Sequence, residues 1–413
     1  MDMVLDELLF NTVLGSRPYD EKNFQNLDYI LCDEHIFQDL SRFYEDDFLS
    51  PQISLEILSS LRTKPHSISS NLVLNDLEEM TYEIGLLSKN ARIAIIETTT
   101  FENGKDLAKL QKISQILGIP IFTGFDIFID KKTLFQESLK NQVFLNKEAF
   151  LKKLSLEFSL GSLDGVKFAF IGPIYIENLV DELELLKCEA YFELLKKSKE
   201  KIPIFFEFSL PIINGNSYGL EGFGLLEKLI EKSQLNDYIP QIILVNFPLN
   251  WHISQKEESK KFELTVELKN EDKIMKILGM GFQIIFDVQS SNGNEHFFVE
   301  FVKTLIKRGF HRNFSISFGN KFKHHLKKYG GVGFKQIADF RAQLGKMEGL
   351  DDIFRDNMMK ILRWKTMEEV KPIAIKKWIC PHCQKEFEEN IEKFRKFEKE
   401  FCSIKCLRNF FSK

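Results

Sequence analysis

Arg92-Ile-Ala-Ile-Ile-Glu97, the amphipathic stretch Gly104–Leu117, and then Ile119-Pro-Ile-Phe-Thr123 form the passage that decides the fold. Two short apolar runs flank a helix-period pattern, and neither run alternates polar with apolar residues. A strand that is apolar throughout is covered on both faces, the condition of a parallel sheet with crossover helices. The pattern continues outward in both directions, with further apolar runs at Tyr29–Cys32, Val166–Gly172, Ile202–Glu207, Gln241–Asn246, Phe282–Asp287 and Phe314–Gly319. Helical patterns at Asp181–Lys201 and Glu221–Ser233 separate them. Eight such units in 413 residues predict an α/β fold, a (β/α)8 TIM barrel. An open doubly wound sheet is the alternative; the lack of a phosphate loop or dinucleotide glycine fingerprint counts against it.

The strand–helix pattern stops near Trp364, and Pro372 lies in the stretch that follows. The expected division is a barrel over 1–366 and a small C-terminal zinc-binding domain over 367–413. Charge divides the chain at the same place. Residues 371–413 hold 11 Lys and Arg against 6 Asp and Glu, which leaves about −9 on the rest of a chain whose net charge is −4. An acidic body repels a phosphate backbone, so nucleic acid is a poor candidate partner. No apolar run reaches the ~18 residues of a membrane span. Met1–Phe10 is acidic, without a secretory n-region or an Arg-rich transit pattern, so a cytoplasmic location is the expectation.

Cysteine usage follows the same boundary. Cys32 and Cys188 stand alone in apolar segments, as buried thiols do. Cys380-Pro-His-Cys383 and Cys402-Ser-Ile-Lys-Cys406 instead give CxxC followed by CxxxC. Two cysteines two residues apart form a knuckle whose thiolates converge on one ion. The second pair falls at the first turn of an expected helix, Ser403–Phe410, where the dipole favours thiolates. Cys380, Cys383, Cys402 and Cys406 thus predict a closed, structural zinc site of the treble-clef-like kind. Trp378, Phe387, Phe394, Phe397, Phe401 and Phe410 supply its small core, and Lys405, Arg408 and Lys413 are read as a solvated face.

Ordered fragments over residues 8–365 resemble phosphotriesterase-related proteins of the amidohydrolase type. They begin with Asn11-Thr-Val-Leu-Gly-Ser-Arg-Pro-Tyr19 and Ile95-Ile-Glu-Thr-Thr-Thr100, followed by Ile119-Pro-Ile-Phe-Thr-Gly-Phe125 and Gly281-Phe-Gln-Ile-Ile-Phe-Asp287. Lys328-Tyr-Gly-Gly-Val-Gly-Phe334 and the closing Asp356–Trp364 complete the series. The resemblance implies a barrel with two metals at the C-terminal ends of its strands, and it assigns the ligand positions in this chain. The His-x-His pair of strand one becomes Asp33 and His35. The bridging Lys or Glu after strand four becomes Pro173. The His of strand five becomes Glu207, that of strand six Asn246 (or Phe247 one register away), and the Asp of strand eight Gly319.

Two-metal hydrolysis needs a carboxylate-type bridge holding the ions ~3.5–4 Å apart. Proline and glycine have no donor to offer, and an Asn amide is a poor zinc ligand beside imidazole. The expectation is therefore a catalytically inactive barrel, a structural or protein-interaction component of a larger assembly with a zinc finger. The competing expectation is a mononuclear metal-dependent hydrolase of a small ester, lactone or amide, using Asp33, His35 and Glu207. A small-molecule binder is a third. Glu97, Asp126 and Asp287 also lie near strand ends, where they either serve chemistry or cap helices and pair with Lys and Arg. His252, His296, His324 and His325 read most simply as surface or loop histidines. Gly330, Gly331 and Gly333 read as turn or close-approach glycines.

Overall fold

The computed structural model describes residues 8–18, 24, 26–45, 52–126, 151, 154–155, 158, 161–162, 165–176, 179, 181–198, 201–208, 218–249, 251–258, 261–291, 295–365, 377–388, 394–396, 399–401, 403 and 405. The chain divides into two compact units, Met1–Lys365 and Thr366–Lys413.

In the first unit eight parallel strands close into a barrel. They are β1 (Tyr29–Glu34), β2 (Ile93–Glu97), β3 (Ile121–Phe125), β4 (Phe170–Tyr175), β5 (Ile204–Glu207), β6 (Ile242–Val245), β7 (Gln283–Asp287) and β8 (Phe314–Ser317). Each pairs with its sequence neighbour, and Ser317 opposite Cys32 joins β8 to β1. The α/β TIM barrel expected from the apolar runs is the fold observed.

Alternation along each strand sorts residues into two cores. Ile30 and Cys32, Ala94 and Ile96, Phe122, Phe170, Phe205, Ile243, Val245 and Ile285 share the interior cluster. Leu31, Ile93, Ile95, Phe206, Leu244 and Ile284 face the helical layer. Phenylalanine fills much of the interior, with Phe170 and Phe205 stacked at 4.1 Å. Phe10 joins this cluster and meets Phe122 edge-on at 5.6 Å. Phe10 comes from a hairpin, Leu8–Thr12 with Gly15–Pro18, that gains a third strand from Trp364–Lys365. The first and last described segments of the unit therefore meet in one sheet.

The helices behind the strands are capped where the sequence provides for it. The Asp76 side chain accepts from the Glu79 amide to start Leu77–Ser88, and Asp106 does the same for Leu107–Leu117. Gly118 ends the latter in the left-handed region. Two expected boundaries are corrected. β4 runs Phe170–Tyr175 rather than Val166–Gly172, so Pro173 lies within it, where its pairing with β5 shifts register between Ile171 and Ile174. β8 ends at Ser317, because Gly319 turns with φ 44°. An antiparallel hairpin, Trp251–Glu258 with Lys261–Leu268, follows β6; continuous apolar runs carry no signal for it.

In the second unit, Lys377–Ile379 pairs with Glu386–Glu388, and the CxxC knuckle is the turn between them. Cys380 is buried and its amide donates to the Lys385 carbonyl at 3.0 Å. Cys402 and Cys406, and most of the helix expected at Ser403–Phe410, lie outside the described residues.

Candidate functional site

The C-terminal ends of the strands gather the polar side chains that a barrel of this kind uses. Alternation alone would send Asp33 toward the helical layer with Leu31. Instead Asp33 takes φ 58° and the β1–β2 pairing shifts register between Leu31 and Glu34, so the chain end bends and both acids leave the regular alternation. Asn246, just after β6, likewise takes φ 56°. Glu207 and Asp287 follow interior residues Phe205 and Ile285 by two positions and arrive there by strand period.

Asp33, His35 and Glu207 come together, one donor atom of each lying within 4.8 Å of the others, and all three residues are buried. The Thr98 hydroxyl donates to Asp33 Oδ1 at 2.6 Å, and His35 Nε2 stands 3.6 Å from that same oxygen. The other ring nitrogen of His35 is 3.2 Å from the Thr99 hydroxyl. The Asn246 amide donates to Glu207 Oε1 at 3.0 Å. Asp33 Oδ2, His35 Nε2, Glu207 Oε2 and Asn246 Oδ1 are buried and have no hydrogen-bond partner among the described residues.

The group that sequence reasoning missed is Lys321. Its ammonium donates to Glu207 Oε1 at 2.8 Å and lies 3.8 Å from Asp33 Oδ2, with a side chain only 9 % exposed. Lysine is rarely buried unless paired, which is how this one is held. Burial by itself pulls such an amine down; Asp33, Glu207 and Asp287 outweigh burial and hold it charged, above the ordinary lysine range. Burial pushes Asp33 up, but Lys321, His35 and Thr98 reverse that and leave its carboxyl below the usual range. The signal for Lys321 was the first lysine of a basic run, Lys321 to Lys328, four positions past the end of β8, which reads on paper as a solvated loop.

The remaining candidates have structural partners. Glu97 accepts from the amides of Ile36 (2.7 Å) and Thr99 (3.1 Å), tying the loops after β1 and β2 together. Asp126 accepts from the Phe101 amide and from Lys105 Nζ, each at 3.0 Å. Asp287 accepts from the Gln289 amide at 2.9 Å; burial, together with Asp33 and against Lys321, pushes it up to about 7. Gly319 packs directly on that carboxylate, where a Cβ would lie 3.0 Å from Asp287 Oδ2. Pro173 sits in β4 with no donor to offer. His324 is buried, contrary to the surface reading, with its amide on Asn71 Oδ1 at 2.9 Å. Gly330 and Gly333 take φ 93° and 66°, and a Cβ on Gly331 would meet the His325 carbonyl at 2.0 Å.

These positions decide which metal chemistry the residues present can support. The positions that the resemblance assigns to a metal bridge and to a strand-eight carboxylate hold Pro173 and Gly319, neither of which has a donor to offer. For a single ion the donor types of Asp33, His35 and Glu207 are suitable. The Lys321 ammonium among them is not, because a divalent cation there would face a fixed positive charge already bonded to one of its ligands.

The same arrangement of strands occurs in solved structures. A phosphotriesterase homology protein from Escherichia coli, crystallised with phosphate in its active site, superposes with a TM-score of 0.58 at 18% identity, covering 82% of this chain and 100% of that one. The barrel shares its fold with phosphotriesterase-homology proteins. A resiniferatoxin-binding protein from Rhodobacter sphaeroides gives 0.64 at 17% identity, over 86% of this chain and 94% of its own. A lactonase from Listeria monocytogenes gives 0.56 at 15%, over 86% and 98%. No protein-family model matches the chain, and no curated protein matches it by sequence. At these identities the likeness establishes the fold and leaves the activity to the site.

Proposed function

We propose that this chain is a phosphotriesterase-type barrel without hydrolytic activity, a structural and protein-interaction component of a larger cytoplasmic assembly. Its second unit holds a structural zinc on Cys380, Cys383, Cys402 and Cys406. The observation that carries the reading is the Lys321 ammonium between Asp33 and Glu207. It neutralises the carboxylates that would otherwise bind a metal, and it offers no Lewis acid to polarise a carbonyl or lower the pKa of a water. Protein partners fit the acidic body better than nucleic acid does. Among the described residues no helix is long and apolar enough to cross a membrane.

A second reading, a mononuclear metal-dependent hydrolase of a small ester, lactone or amide, draws on the buried atoms of Asp33, His35 and Glu207 that have no hydrogen bond among the described residues. The lactonase among the structural neighbours belongs to the same fold. The test is a panel of lactones, carboxylic esters, amides and phosphotriesters assayed with added Zn2+ or Mn2+. The first reading expects turnover no different between the native chain and Glu207→Gln. Turnover that disappears in both Glu207→Gln and His35→Ala would replace it with the second.

A further inference from the structure

We infer that Lys321 is a built-in substitute for a metal ion, and that removing its ammonium turns Asp33, His35 and Glu207 into a mononuclear divalent-cation site. The inference rests on the non-hydrolytic reading, since it takes the native barrel to be filled by its own lysine.

Buried carboxylates need a nearby positive charge, because an unpaired ion costs several kcal/mol in a protein interior. Here Asp33 and Glu207 approach from β1 and β5, on opposite sides of the eight-strand ring. A metal would span them by coordination. Lys321, entering from just beyond β8, spans them with a flexible stem and one ammonium, 2.8 Å from Glu207 and 3.8 Å from Asp33.

The backbone that carries this lysine is fastened. Glu34 Oε2 accepts from the Asn320 amide at 3.1 Å and from the Asn320 side chain at 2.9 Å, and Gln38 donates to the Lys321 carbonyl. The residue preceding Asn320 is Gly319, whose missing side chain leaves that space to the Asp287 carboxylate. Gly319, the position to which the resemblance assigns a carboxylate, is followed two residues later by the cation Lys321.

The donors also retain what coordination would need. Asp33 Oδ2, His35 Nε2 and Glu207 Oε2 each lack a hydrogen-bond partner among the described residues. One donor atom from each residue falls within a 4.8 Å set, and a tetrahedral zinc shell with ~2.0–2.2 Å bonds holds its donors about 3.3–3.6 Å apart. Closing that shell takes a side-chain adjustment of about 1–1.5 Å, which a rotamer change of Glu207 supplies once the ammonium is gone.

The experiment uses the full-length chain, with zinc counted by elemental analysis after dialysis against a zinc buffer and Co2+ substitution followed by its visible d–d absorption. The native protein sets the baseline, which Glu207→Gln should leave unchanged. Lys321→Met is expected to gain one equivalent over that baseline, to melt below the native protein without metal, and to recover on Zn2+ addition. His35→Ala in the Lys321→Met background should abolish the gain. Lys321→Gln, which keeps a donor for Glu207 and disturbs packing less, should show the same extra equivalent. If Lys321→Met folds only when refolded with Zn2+, that counts as the gain. A folded Lys321→Met and Lys321→Gln that both hold only the baseline zinc, or a Lys321→Met that stays unfolded with Zn2+ present, would overturn the inference and leave the non-hydrolytic reading standing. A native count that falls on Glu207→Gln would instead show a metal already in the barrel, and would overturn the non-hydrolytic reading itself.

Discussion

Thr98, Gly319 and Lys321 show how single positions set the character of the barrel mouth. Thr98 holds Asp33 Oδ1 with a 2.6 Å hydrogen bond in a fully buried setting. Thr98→Val keeps the shape and deletes the donor, so the charged acceptor loses a partner it cannot replace from water. A loss of about 1–3 kcal/mol in urea unfolding is expected, and an unchanged midpoint would show that the bond contributes nothing net. Gly319 combines φ 44° with a Cβ position 3.0 Å from Asp287 Oδ2. Gly319→Ala should cost about 1–2 kcal/mol from the left-handed backbone alone, read by the same measurement. An Asp at that position would set a second carboxylate against Asp287. These residues were only partly legible in sequence. Gly319 stood out as a missing ligand, whereas Lys321 carried no motif and acquired its role from two carboxylates 114 and 288 positions away.

Among the elements, β3 and β4 pack closely at Gly124. Gly124 lies opposite Phe170, and a Cβ on it would fall 2.1 Å from the Gly172 carbonyl oxygen and 2.3 Å from the Phe170 ring. Neither the backbone oxygen nor a fully buried ring can yield, so Gly124→Ala should lose about 3 kcal/mol or more. Circular dichroism with thermal melting would show it, and a native melting curve would refute the argument. The strand Trp364–Lys365 makes a different prediction. It pairs with Leu8 and Leu9 of the hairpin that delivers Phe10 to the interior core. A chain ending at Leu362 should therefore be less stable than one ending at Lys365 by about 1–2 kcal/mol, the worth of the lost ladder bonds. Denaturant midpoints of the two truncated chains compare them directly. The apolar strands themselves were readable because both of their faces are covered. Strand ends were not, since Asp33, Asn246 and Gly319 leave the strand period through positive φ angles that composition does not encode.

For the molecule as a whole, buried titratable groups tie stability to pH. Burial first, and then Arg62, push His324 down to about 4, against an ordinary 6.5. Phe322 stacks on its ring at 5.6 Å, His325 lies 4.4 Å away, and Asn71 Oδ1 holds it at 3.1 Å. The folded chain thus prefers neutral His324. Its contribution is complete above pH 6.5, is lost as the pH falls from 6.5 toward 4 while the unfolded chain takes up the proton first, and is flat below. The shift corresponds to about 3 kcal/mol at ~1.4 kcal/mol per unit. Urea midpoints of the native chain should fall across that window more steeply than those of His324→Gln, and parallel profiles would remove His324 as the cause.

The sequence by itself determined the barrel. Continuous apolar strands spaced by amphipathic helices have few ways to bury both faces of a sheet, and closing it into a ring is one that leaves no edge. It also placed Pro173 and Gly319, which have no side-chain donor in any fold, where the resemblance assigns metal ligands. Only the tertiary structure decided which charges meet at the barrel mouth. An ammonium from beyond β8 meets carboxylates from β1 and β5 only once the ring has closed. That meeting also sets the protonation of Asp33, Asp287 and Lys321, because burial and charge act through space between residues that sequence separation keeps far apart.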